Sequence, residues 1–145
     1  MLRLTVSGPA GSGTSTLVEK ICQSRNWSSL NGGEIFRAEA AERNLSVVEF
    51  SALCKKDLNV DRALDEKLKA ILSRPDSPDI VESRLSGWWA HQLGLDCLRV
   101  WVSVSDEEMA RRIQTREGGD LSDRLQESKQ RQSDDNQRYK LSLIH

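Results

Sequence analysis

The sequence lacks most of the features that mark a membrane, metal-cluster or disulfide-stapled protein. No apolar run approaches the ~20 residues needed to cross a bilayer. The opening MLRLTVSG is too short and strand-like for a signal peptide. The three cysteines, Cys22, Cys54 and Cys97, are scattered and form no CxxC. An odd, dispersed set argues against a disulfide framework and for buried, reduced thiols. His91 and His145 stand alone, so no zinc site is expected. Net charge is only −1, which gives no reason to expect a nucleic-acid or membrane partner. There are no repeats and no low-complexity segment. Together these absences place the protein in a reducing cytoplasm.

What is present is an ordinary globular composition: 145 residues, 37% hydrophobic and 30% charged. That length predicts one domain with a core of its own. Leu2 to Val6 reads as a short strand. Next come a glycine-rich turn and a helix in which Leu17 and Ile21, then Val18 and Cys22, recur at four-residue spacing. Trp27 to Gly33 reads as a weak strand and turn, and Glu34 to Arg43 as helix. Ser46 and Glu49 form a capping box for another helix. A third begins near Val60, with Val60, Leu64, Leu68, Ile71 and Leu72 on one face. Pro75 and Pro78 bound a loop. Asp79 to Glu82 is a short strand candidate, and Leu98 to Val104 a stronger one. Ser105 or Asp106 caps a helix that runs to about Arg116 and is broken by Gly118-Gly119. Alternating strands and helices predict an α/β fold with a central parallel sheet.

The strongest local signal is Gly8-Pro9-Ala10-Gly11-Ser12-Gly13-Thr14-Ser15-Thr16. The phosphate-loop pattern is GxxxxGK[ST]; Gly8, Gly13 and Ser15 match, and Thr14 stands where the lysine belongs. Glycines let several backbone N–H groups turn onto one phosphate. The following helix offers its free N-terminal donors to the same anion, and the Ser15 hydroxyl can ligate Mg²⁺. Thr14 offers a hydrogen bond but no charge, so another cation must offset charge developing on the phosphates. The plainer alternative is a glycine turn that binds nothing. The placement between an N-terminal strand and an amphipathic helix weighs against it.

Further segments give the pattern a family. Asn31-Gly32-Gly33-Glu34-Ile35-Phe36-Arg37 resembles the monophosphate-binding segment of adenylate and cytidylate kinases. Archaeal-type cytidylate kinases carry a nearly identical GEIFR, and commonly a threonine in place of the loop lysine. Val60-Asp61-Arg62-Ala63-Leu64-Asp65-Glu66 resembles their IDRELDE, Val81 to Trp88 their VLEGRLAGW, and Arg111 to Gly118 their ERIAKREG. Arg131 with Arg138-Tyr139 resembles the arginine pair of their lid. The resemblance runs from Leu2 to Lys140. It implies a P-loop α/β/α fold formed as a single domain, 1–145. Within it a helical monophosphate-binding insertion covers about 33–73 and a lid about 117–138. Family members continue past Arg-Tyr-Lys with a last strand and helix, whereas here Leu141 to His145 follow. A shortened C-terminus and an unpaired edge strand are therefore expected, with a monomer as the expected state and a homodimer through that edge as the alternative.

The resemblance also implies roles. Gly8 to Thr16 would bind the ATP phosphates. Gly33, Arg37, Asp61 and Arg84 would form the acceptor-nucleotide site, Arg37 and Arg84 on its phosphate and Asp61 on its nucleoside, with helix capping an equal alternative for Asp61. Ser15 and Glu82 would hold Mg²⁺, the alternative for Glu82 being a structural carboxylate. Arg112, Arg116, Arg131 and Arg138 would surround the transferring phosphoryl group, where positioning and charge neutralisation do most of the catalysis. The alternative for these arginines is a solvated helix, since six basic residues face six acidic ones from Gln114 to Lys140. Asp134 and Asp135 could pair with the lid arginines, and Trp88 and Trp89 read as packing rather than base stacking. The expected reaction is Mg²⁺-dependent transfer of the ATP γ-phosphate to CMP or dCMP. The alternatives are an adenylate kinase-like enzyme and a nucleotide-binding module without turnover.

Overall fold

The computed structural model describes residues 1–9, 12–127, 129, 130 and 133. Ala10 and Gly11 of the loop lie outside the described residues, as do Arg131, Asp134, Asp135, Arg138 and Tyr139. In chain order the elements are β1 (Leu4–Ser7), α1 (Thr14–Arg25), β2 (Ser29–Asn31), α2 (Gly32–Glu42) and α3 (Val47–Lys56). They continue with α4 (Leu58–Ser73), β3 (Ile80–Glu82), α5 (Ser86–Gln92), β4 (Leu98–Trp101) and α6 (Asp106–Glu117). The four strands form one parallel sheet in the order β2-β3-β1-β4. Parallel neighbours require crossover connections, and the intervening helices provide them.

Two compact units divide these elements. The first comprises Met1–Ser7 and Ser15–Trp101; the second comprises Gly8–Thr14 and the chain from Val102. In the first unit, Leu2, Leu68, Leu72 and Val81 form one apolar cluster, with Trp89 packed against it. Ala40, Phe50, Cys54 and Leu64 form another between α2, α3 and α4. Each fully buried Leu or Phe contributes ~1.5–3 kcal/mol, so these clusters hold the three helices to one another and to β3. In the second unit the buried apolar residues of α6 are Met109, Ala110 and Ile113.

Several helix ends differ from the sequence reading for identifiable reasons. The Asn31 side chain accepts from the backbone of Gly33 and Glu34, so α2 starts at Gly32 rather than Glu34. Asp57 caps α4 through Asn59 N–H, so α4 starts at Leu58, two residues before Val60. The capping box of Ser46 and Glu49 forms with both of its hydrogen bonds. Of the α1 apolar residues, only Val18 is fully buried. Strand β4 is shorter than Leu98 to Val104. Its partner β1 ends at Ser7, opposite Trp101, which leaves 102–104 without a strand to pair with among the described residues. It is also more exposed than a core strand, with Leu98 and Trp101 66% and 62% exposed.

Candidate functional site

Strand register aligns the candidate site residues of the first unit. Asn31, Glu82 and Val6 align across the sheet in one row. The chain segments that leave this carboxyl edge are the ones carrying the expected site residues, and ligands of open parallel sheets bind at that edge. Glu82 ends β3 buried, at 9% exposure, and accepts a hydrogen bond from the Ser15 hydroxyl at 3.0 Å. A buried carboxylate is costly without a partner, and this bond is part of what makes it tolerable. Ser15 and Glu82, the two residues expected to hold a metal, are thus brought together.

Beyond Glu82 the backbone makes a tight turn. Ser83 N–H donates to Val6 O at 3.1 Å, and the Ser86 hydroxyl donates to Ser83 O at 3.1 Å. Ser86 Oγ also lies 3.1 Å from Ser7 Oγ, which in turn accepts from Gly87 N–H. This turn carries Arg84. After the neighbouring strand β2, Gly32 lets α2 start hard against the turn that follows β3, because a Cβ there would lie 2.8 Å from Ser83 Cβ. Arg37 is exposed on the first turns of α2, and its guanidinium folds back so that a Cβ on Gly33 would come within 3.1 Å of Nη1. Asp61 is 2% exposed in the first turn of α4. It is not the cap of that helix, a role taken by Asp57. Trp89 packs on the apolar cluster with Lys69 over its ring at 4.7 Å, as expected of a packing residue; Trp88, by contrast, is 41% exposed.

The second unit holds the loop. Ser12 closes it with two bonds to Pro9 O, from its hydroxyl at 2.6 Å and its N–H at 3.2 Å. Gly8 has no room for a side chain: a Cβ would meet Val102 O at 2.6 Å. Gly13 has φ +88°, a conformation glycine adopts without strain. From α6, Arg112 Nη1 donates to Ser12 O at 3.2 Å, and its Nε donates to Glu108 Oε1 at 3.1 Å. Arg116, one turn on, is exposed and bonded to Glu117. Helical residues 121–127 follow the break at Gly118-Gly119.

The sequence reading named Arg112 but not Glu108, which orients it. The signal was available in the i, i+4 spacing of an acid before a base on a helix. It also missed the capping role of Asn31, which an Asn just before a helical run indicates. Ser83, whose buried hydroxyl has no partner within the described protein, carried no sequence signal at all.

A parallel sheet whose first strand enters a glycine loop and then a helix defines a P-loop protein. A family model described as an AAA domain matches residues 7–138. A solved shikimate kinase from Bacteroides thetaiotaomicron shares this fold at 13% identity and a TM-score of 0.62, over 97% of this chain and 82% of that one. The cytidylate kinase of Haloarcula marismortui is 37% identical over 94% of this chain and 69% of its own length. That of Methanosarcina mazei is 36% identical over 96% of this chain and 77% of its own. The chain belongs to the cytidylate kinase family of P-loop nucleoside monophosphate kinases. No helix among the described residues is long and apolar enough to cross a membrane.

Proposed function

We propose that this chain transfers the γ-phosphate of ATP to CMP or dCMP. The observation that carries this reading is the Ser15 to Glu82 hydrogen bond, which sets the loop's hydroxyl on a buried carboxylate at the carboxyl edge of the sheet. This pair fits Mg²⁺: both donors are oxygens, and Mg²⁺ characteristically takes one or two protein ligands while keeping waters and substrate phosphate oxygens. When bound, the ion would neutralise charge on the donor phosphates.

The chain's own residues do the rest. Backbone N–H groups from Gly8 to Thr16 cradle the donor phosphates. Arg37 and Arg84 clamp the acceptor phosphate through charge-assisted bonds, each worth ~1.5–3 kcal/mol. Gly33 leaves space for Arg37, and Asp61 faces the acceptor nucleoside. Arg112 and Arg116, joined by Arg131 and Arg138, stabilise the charge of the transferring group. In this reading 33–73 is the monophosphate-binding insertion and 117–138 a lid that excludes water. The enzyme works as a cytoplasmic monomer. An ADP-release assay with ATP, Mg²⁺ and each of CMP, dCMP, UMP and AMP tests the proposal. Turnover highest with CMP or dCMP is expected; AMP as the best acceptor, or no turnover by folded protein, overturns it.

A further inference from the structure

We infer that Arg112 supplies the positive charge that the phosphate loop lacks at Thr14. The inference rests on the proposal that this loop holds donor phosphates, and it names the residue that completes it. The loop keeps the glycines and the hydroxyl of its pattern but has threonine in the lysine position. A lysine there is a point charge over the β- and γ-phosphates. Its loss must be made good by another cation close to the loop, because phosphoryl transfer depends on charge neutralisation.

Arg112 is such a cation. Its Nη1 donates to Ser12 O at 3.2 Å and stands 3.1 Å from where a Cβ on Gly13 would be, so the guanidinium lies against the two residues that precede Thr14. Gly13 therefore meets two requirements: its φ of +88° and the seat of the guanidinium. On its other side Nε is fixed by Glu108 at 3.1 Å. Glu108 is itself held at the start of α6, its N–H bonded to the Ser105 cap at 3.2 Å. Guanidinium has five N–H donors in a rigid plane and does not lose its proton. Two donors therefore orient the group while its charge and remaining edge serve an anion, and the side chain is 47% exposed. The carboxylate of Glu108 aims the guanidinium. Lysine in the loop would need no such support, since it is carried by the loop itself.

A mere brace for the loop and a charge for phosphate are separable. The probe is inorganic tripolyphosphate, which has no base and needs no acceptor. Its affinity is measured by calorimetry for the full chain and for R112Q, R112K, T14K and T14K with R112Q. R112Q removes the charge and, being shorter, the bond to Ser12 O as well, whereas T14K in that background returns a charge without the bond. R112Q is expected to weaken tripolyphosphate binding about tenfold or more, the scale of one charge-assisted bond. R112K should regain part of the loss, and T14K should restore most of it in the R112Q background, with kcat for ATP following the same order. R112M replaces R112Q should the latter not melt cooperatively. Unchanged tripolyphosphate affinity in R112Q, or no rescue by T14K in folded protein, overturns the inference. If the full chain turns over no monophosphate while the rescue pattern holds, the kinase reading falls and this one stands. Turnover of CMP with unchanged tripolyphosphate binding gives the reverse.

Discussion

The helices proposed to carry acceptor-side residues and the loop proposed to face the donor are held in place by different physics. Between α2, α3 and α4 the fixing force is burial: Phe50 is fully enclosed with Ala40, Cys54 and Leu64, and its ring meets Phe36 at 4.8 Å between centroids. The exposed Arg37 is positioned by this core from below. The loop of Gly8–Thr14 is fixed instead by contacts at the site itself, from Ser12 to Pro9 and from Arg112 to Ser12. Damage to the first region should therefore appear as lost stability that carries acceptor binding with it. Damage to the second should appear as lost phosphate affinity in a protein that still folds.

The largest expected effect follows from Phe50. Phe50→Ala empties the centre of the α2–α4 cluster and should cost about 3–5 kcal/mol, as large core truncations do, read by urea denaturation. Affinity for CMP should fall with it, while tripolyphosphate affinity of the remaining folded protein holds. Equal loss of both would break the comparison. Next comes Gly13→Ala, which forces a Cβ into a φ of +88° and to within 3.1 Å of Arg112 Nη1. Backbone strain of this kind costs about 1–3 kcal/mol. Calorimetry with ATP and CMP separately should show the loss in ATP affinity and little change for CMP.

The acceptor-side framework was largely legible in the sequence because it is local. Alternation of short apolar runs and amphipathic stretches gave the four strands and five of the helices, but not the short α5 (Ser86–Gln92), and Ser46 with Glu49 announced their capping box through spacing alone. Helix starts were misplaced by two residues at α2 and α4, because Asn31 and Asp57 act through side-chain bonds that hydropathy does not register. The overlong β4 failed for another reason. Val102 and Val104 are as strand-forming as Val100, and what stops the strand is the end of its neighbour, which no local pattern encodes. At the site, Ser15 and Glu82 were each named for their motifs, 67 residues apart. Arg112 was named, but its seat on Ser12 depends on a fold-level approach across 100 residues.

A smaller effect sharpens the stability side. Ser46→Ala removes the acceptor for Glu49 N–H at the start of α3, and loss of an N-cap costs about 1 kcal/mol. The expected result is a modest, uniform drop in the urea midpoint with an unchanged m-value and no change in tripolyphosphate affinity. A drop as large as that of Phe50→Ala would mean that capping, rather than burial, holds α2, α3 and α4 together.

The smallest effect is in pH, and its sign can be worked out. Glu39 on α2 is bonded by Lys67 of α4 and by Arg43. The Lys67 bond is the main cause holding its carboxyl below the ordinary 4.5, with burial opposing and Arg43 adding to the depression. A depressed carboxyl contributes stability that is fully present above its unfolded value and is lost as pH falls through the lower folded value. Lys67 is raised above 10.5, chiefly by the same bond to Glu39. Its contribution is present below that value and lost as pH rises through its folded value. Between these limits the pair is constant. Lys67 is half exposed, so solvent limits the pair to about 0.5–1 kcal/mol. Asp79, depressed mainly by the Ser28 N–H, titrates on the same acid side, so the reading must be a difference. The stability gap between the natural chain and Glu39→Gln should stay level above pH 4.5 and narrow below it, with hydrogen exchange placing the change in α2 and α4. A gap that widens on acidification would reverse the assigned sign and remove Glu39 as the tie between those helices.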